Sequence, residues 1–247
     1  MDSKAIESLN FVLQNKILAT TLAIGVSSLI YAYLNYRQYV SFGQHGLPPT
    51  LKGYWTQLNW HRIARSDVTV PAPYSEADLR GKYGPECWRS YFPRDYTLKP
   101  REGPPPDVPS FCAPQRQTNQ LPPESILAAQ NQFLGTIAAK NPSLFDCKVS
   151  GIEKVGPALY TSGKRDVRDL YKFGKGEFAH VHPEGSTHVF LSLVDSKTVL
   201  EQGWGQRHKL SGPMLPWGYT LLYGPRNEEE FDTWKTIVRA SAEYFTY

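Results

Sequence analysis

Residues 17–34 read ILATTLAIGVSSLIYAYL, eighteen positions without a charge, framed by Lys16 and Arg37. As a helix rising 1.5 Å per residue the run covers about 27 Å, close to the roughly 30 Å hydrocarbon core of a bilayer. Tyr31, Tyr33 and Tyr36 fall at one end, where amphipathic rings are favoured at the lipid headgroup level. A cleaved signal has a shorter apolar run and ends on small residues, whereas bulky tyrosines and Arg37 follow this one. We therefore expect a tail over 1–16 and a retained, single-pass transmembrane anchor over 17–36. Lys4 and Lys16 on one side and Arg37 and Lys52 on the other leave its orientation undetermined.

The remainder has the make-up of a folded body. Of 247 residues 40% are hydrophobic and 20% charged, enough for one sizeable core, while twenty prolines imply long irregular stretches. A net charge of +4 is spread over 27 basic and 23 acidic residues with no Lys or Arg block, so no track for a nucleic-acid backbone is expected. Cys87, Cys112 and Cys147 are odd in number and lack CxxC spacing. They form neither a disulfide framework nor a thiolate zinc site, although one bridge and one free thiol remain open. The chain lacks GxGxxG, P-loop, GxSxG and HExxH patterns, which removes support for Rossmann-bound nicotinamide or flavin, nucleotide hydrolysis and the usual serine-hydrolase route.

Periodicity supplies the elements. An amphipathic helix is expected over 51–65, with Tyr54, Trp55, Leu58 and Ile63 on its apolar side. The proline-rich stretch 93–123 reads as a loop that wraps the body or stays mobile. A core helix follows over 125–140, then strands over 144–149 and around 158–161. A short helix over 196–202 is stopped by Gly203, and 217–223 alternates as a strand with Trp217, Tyr219, Leu221 and Tyr223 on one face. Asn227 and Glu230 form a capping box for a packed terminal helix. The class is α+β: a single soluble domain with an antiparallel sheet and packed helices, preceded by the N-terminal transmembrane helix.

Four of six histidines lie within 29 residues: His180, His182, His188 and His208. In EFAHVH, over 177–182, strand geometry puts His180 and His182 on one face, and the turn Pro183-Glu184-Gly185-Ser186 allows a returning strand to bring His188 beside them. Glu177 or Glu184 offers a carboxylate. Such a set suits a mononuclear metal, iron or zinc, held by His180, His182 and His188. It equally suits metal-free acid/base work, and it also suits hydrogen-bonded structural histidines; spacing does not choose among the three. In GWGQRH, over 203–208, Arg207 and His208 provide donors beside an enolate or carboxylate, with Trp204 as a ring contact. Trp217, Tyr219 and Tyr223 offer a wall for a flat polyphenolic molecule, or serve sheet packing.

The segments GWGQRHKLSGP (203–213), LLYGPRNEEE (221–230) and IVRASAEYFT (237–246), together with EFAHVH and its spacing to GWGQRH, resemble closely the fungal luciferase family. The likeness is strong over 177–246 and architectural before that, in the N-terminal helix and the basic, tyrosine-containing stretch around Arg37-Gln38-Tyr39. The resemblance implies a luciferase-like α+β domain over 124–247 behind a helical and proline-rich wrapping region over 37–123. It implies an oxygenase whose substrates are molecular oxygen and an electron-rich α-pyrone such as hydroxylated hispidin, passing through a high-energy peroxide and losing carbon dioxide. No organic cofactor is known for the family. On that reading His182 or His180 is the base, His208 and Arg207 stabilise anions, and Trp204 with Tyr219 contacts the ring. The single-pass anchor is expected in an endomembrane such as the endoplasmic reticulum, on a side that the sequence does not fix. One departure is visible: the interval between His182 and His188 is compact, where luminous members are longer and carry a further histidine, so light output does not follow. A non-catalytic membrane-attached binding protein and a metal-dependent hydrolase or isomerase are the competing classes.

Overall fold

In a computed structural model of the protein, residues 3–72, 75, 77, 79, 83–163 and 169–246 are described. Residues 1 and 2 of the expected tail lie outside that set, as does the side chain of Lys4. The described residues form five α-helices and a six-stranded antiparallel sheet, in the order α1 (Ser3–Ser41), α2 (Leu51–Trp60), α3 (Glu124–Lys140), β1 (Phe145–Val149), β2 (Pro157–Thr161), β3 (Glu177–Val181), β4 (Thr187–Phe190), α4 (Leu193–Glu201), β5 (Gly205–Arg207), β6 (Tyr219–Leu222) and α5 (Glu228–Tyr244). The strand order is β1-β2-β3-β4-β6-β5. The expected α+β class with an antiparallel sheet is the architecture found.

α1 runs longer than the apolar stretch it contains and extends beyond it at both ends. Its segment Leu13–Ser41 is long and apolar enough to cross a membrane, and none of its most apolar window is buried in the protein. Its last turns dock on the body: Tyr39 is fully buried and donates to the Pro48 carbonyl at 2.9 Å, and Tyr54 of α2 donates to Asn35 at 2.8 Å.

α2 is shorter than expected and turns a different side inward. Its buried positions are Gly53 and Gln57, while Trp55 and Ile63 are exposed. The cause is close approach: a side chain at Gly53 would meet the Pro48 carbonyl and the Tyr39 hydroxyl, so the small residue sets which face docks. Residues 93–123 contain no helix or strand and do wrap the body. Arg101 N–H donates to the Gln202 carbonyl, and Phe111, Cys112 and Gln115 are buried.

One face of the sheet is covered by helices. α3 packs at β1 and β2, α5 at β3 and β4, and α4 at β5. Trp234 of α5 is 1% exposed and donates its indole N–H to Thr187, and Ser196 of α4 bonds Thr220 of β6. α4 begins at Leu193, earlier than expected, because Ser192 accepts the Asp195 N–H as its N-cap. Asn227 caps α5 as expected, but Glu230 reaches the N–H and guanidinium of Arg226 and not the N-cap amide, so the box is open by one residue. The three cysteines are free thiols; no bridge forms.

Candidate active site

The opposite face of the sheet carries the histidines. β3 and β4 pair with His180 directly across from His188, and His182 follows β3 on the same face, as the period of two requires. The hairpin closes through His182 N–H to the Ser186 carbonyl and Gly185 N–H to the His182 carbonyl. Gly185 sits at φ 93°, and a Cβ there would overlap Pro122, so the turn admits glycine alone. His208 comes from the end of β5, with its N–H on the Tyr219 carbonyl. The ring centroids of His180, His182 and His188 lie 4.7 to 5.2 Å apart, and His208 lies 5.2 Å from His188. All four rings are buried.

Each ring is oriented by a partner on its outer side. Glu177 accepts from His180 Nδ1 at 2.7 Å. Strict alternation would turn Glu177 away from His180, but the β2–β3 register slips between Leu159 and Tyr160, and this bulge brings both to one side. Glu177 also accepts from Ser150 Oγ, the Gly151 and Ile152 N–H groups and the Tyr160 hydroxyl. Burial works to raise its carboxyl, but these donors and His180 hold it below the ordinary range. His182 Nδ1 meets Ser186 Oγ at 2.8 Å, and Ser186 donates onward to Glu184, whose carboxyl burial pushes up to about 7. His188 Nε2 faces Gln115 Oε1 at 3.1 Å, and the Gln115 amide donates to the Arg207 carbonyl.

A fourth group was not singled out in the sequence. Glu153, in the turn between β1 and β2, lies with His180, His182 and His188 so that one ligand atom from each falls within 4.8 Å of the others. Burial works to raise its carboxyl, but the Arg116 guanidinium bonded to it holds it low. The carboxylates expected near the histidines, Glu177 and Glu184, stand behind the rings, not among them. Burial keeps His182 and His188 well below the usual imidazole range, and it lowers His208 to about 3. All three are neutral at physiological pH.

The cluster meets a cavity of about 650 Å³ whose lining includes Glu153, His188, His208, Tyr219, Tyr160 and Ile152. Tyr219 stacks on His188 at 4.8 Å and on Phe190 at 4.3 Å, so a flat phenol ring stands beside the imidazoles. His208 Nδ1 accepts the Leu210 N–H at 3.1 Å, which leaves the ring proton on Nε2.

The other expected pocket residues are elsewhere. The Arg207 guanidinium donates to the Val70 and Asp67 carbonyls and lies over Trp217 at 5.4 Å, while its carbonyl, through Gln115, serves the histidines. Trp217 is held between Arg65 and Arg207. Trp204 donates to the Lys99 carbonyl at 2.7 Å and lines a separate cleft with Arg226 and Glu230. Tyr223 lies under Arg101 and reaches Gln206.

Against known proteins, residues 175–241 match the Luciferase domain family. That stretch contains β3 through most of α5 and all four clustered histidines. The luciferase of Armillaria mellea is 29% identical over 96% of this chain and 91% of its own length, and that of Armillaria ostoyae is 29% identical with the same coverage. The chain is similar to these fungal luciferases over most of its length. The luciferase of Neonothopanus nambi is 32% identical over 59% of this chain and 60% of its own length. No solved structure matches this chain.

Proposed function

We propose that this protein is an oxygen-using enzyme acting on a flat, hydroxylated α-pyrone or phenolic polyketide of the hydroxylated-hispidin class, held by α1 as a single-pass protein of an endomembrane such as the endoplasmic reticulum. The observation that carries the reading is the buried imidazole cluster opening on a cavity walled by Tyr219 and large enough for a small aromatic ligand. The substrate ring lies along Tyr219, and its ionised oxygen accepts from His208 Nε2. A neutral donor fixed in a buried site stabilises that anion more strongly than water does, because it needs no reorganisation. The reacting carbon faces His188 and Glu153, the cluster members that line the cavity; the substrate's acidic proton leaves to water as it ionises, before oxygen adds. Overall, both atoms of molecular oxygen enter the substrate and carbon dioxide leaves. Burial of the floor keeps water from the peroxide.

Membranes carrying the full chain, given hydroxylated α-pyrones, are expected to consume oxygen and release carbon dioxide in equal amounts, with product mass to match. Light is recorded in the same vessel, but the reading does not depend on it. Binding of the pyrone without oxygen consumption would instead identify a non-catalytic receptor.

A further inference from the structure

The hydrogen bonds around the cluster fix where each ring keeps its proton, and the result is a set of lone pairs facing one another. The Arg207 carbonyl can only accept, so the Gln115 group on it is the NH2, and Gln115 Oε1 must take the proton of His188 Nε2. His188 Nδ1 is then bare. Glu177, an acceptor for four other donors, takes the proton of His180 Nδ1, so His180 Nε2 is the nitrogen turned into the cluster, 3.3 Å from His188 Nδ1. Ser186 gives its single proton to Glu184 and accepts from His182 Nδ1, so His182 Nε2 is bare too; it is buried, has no hydrogen-bond partner and lies 3.8 Å from Glu153 Oε1. A shared proton would settle one of these two repulsive contacts and leave the other.

We infer that His180 Nε2, His182 Nε2, His188 Nδ1 and Glu153 Oε1 bind a divalent first-row transition metal. Imidazole nitrogens with one carboxylate suit iron and zinc, and donors about 2.0–2.1 Å from such an ion stand roughly 3–4 Å from each other; His180 Nε2 and His188 Nδ1 are 3.3 Å apart, His182 Nε2 and Glu153 Oε1 3.8 Å, and one donor from each of the four residues lies within 4.8 Å of the others, so small side-chain shifts close the set on an ion. The outer partners are those that metal-bound histidines need: Glu177 behind His180, Ser186 with Glu184 behind His182 and Gln115 behind His188, each holding the far nitrogen protonated. Glu153 and Glu177 set two carboxylates against the one guanidinium of Arg116, so the chamber offsets part of the ion's charge. Glu153 and His188 also line the cavity, which puts the ion's open side toward a ligand there. The inference rests on the proposed function only for what the metal does, drawing the substrate's acidic oxygen into its ionised form; the binding itself follows from the side chains.

The test uses the full chain in detergent, stripped of metal and titrated with Fe(II), Zn(II) and Co(II). Wild type is expected to retain about one ion per chain after desalting, and Co(II) to give visible absorption bands of a nitrogen-rich site. Glu153→Gln and His182→Gln should bind at least about tenfold more weakly and Ser186→Ala about 10–100-fold more weakly, whereas His208→Gln should bind within about twofold of wild type. Should the ligand variants fail to fold, the wild-type titration still decides. Folded wild type that binds none of the three ions overturns the inference, as do folded ligand variants that bind like wild type. Full oxygen consumption by metal-free protein overturns the part given to the metal in ionising the substrate and leaves its binding to be decided by the titration. Metal binding without any oxygen consumption would leave the metal site standing and sink the proposed function.

Discussion

His208 is the residue whose role is most narrowly set by its contacts. One ring nitrogen accepts the Leu210 N–H, and burial keeps the ring neutral, so it can only present a donor to the cavity. On the proposed function, His208→Gln lowers kcat by about 10²–10³-fold, the usual cost of losing a donor to a developing anion. Its melting temperature and substrate affinity should change little, and steady-state oxygen uptake measures the split. Which residues joined this site was legible only in part. His180, His182 and His188 could be placed together because a strand repeats every two residues and 183–186 reads as a turn. Glu153 and Gln115 could not, because a β1–β2 turn and a proline-rich loop reach the rings only through tertiary pairing. Arg207 and Trp217 read as pocket residues because side-chain chemistry is visible in sequence, whereas their stacking on each other and the bonds of Arg207 to residues 67–70 are not.

At the scale of elements, the β3–β4 hairpin carries the site, and Gly185 carries the hairpin. Its positive φ and the contact with Pro122 make Gly185→Ala costly by about 1–3 kcal/mol, a range typical of one strained backbone residue. Urea unfolding should show that loss together with reduced turnover, since His182 and His188 flank the turn; unchanged stability would mean that the loop relaxes freely. Helices α3 and α5 and strands β1 to β4 were legible because apolar periodicity and turn residues agree there. The buried side of α2 was not, because it is chosen by the absence of a side chain at Gly53, and periodicity counts only side chains that are present. The row Trp217, Tyr219, Leu221 and Tyr223 failed as one wall for a similar reason: β6 spans only Tyr219–Leu222, and the residues beyond it leave the strand's alternation.

For the whole molecule, the membrane-length helix and the chamber are mechanically joined. Arg116 donates to the Phe42 and Gln44 carbonyls just past α1, and the same guanidinium holds Glu153. His45 sits fully buried in that junction, edge-on to Tyr39, with Nδ1 accepting the Leu47 N–H. Burial, aided by Arg116, lowers its pKa to about 4 from 6.5. The unfolded chain therefore binds a proton at His45 before the folded one does. The stability due to this residue is complete above pH 6.5 and is lost as the pH falls toward 4, by up to about 3 kcal/mol. Denaturant midpoints at pH 7 and pH 5 should differ more for wild type than for His45→Gln; equal differences would show that other groups set the acid limit.

On the proposed function, reaction occurs in the cavity against Tyr219, and a side chain that fills this space should stop it. Ile152 lines the cavity with an aliphatic side chain that is not among the metal donors. Ile152→Trp should keep the melting temperature and the bound metal while oxygen uptake with a hydroxylated α-pyrone falls by about 10²-fold, as expected when a substrate is displaced by an ångström or more. Wild-type uptake by a folded Ile152→Trp protein would contradict the account.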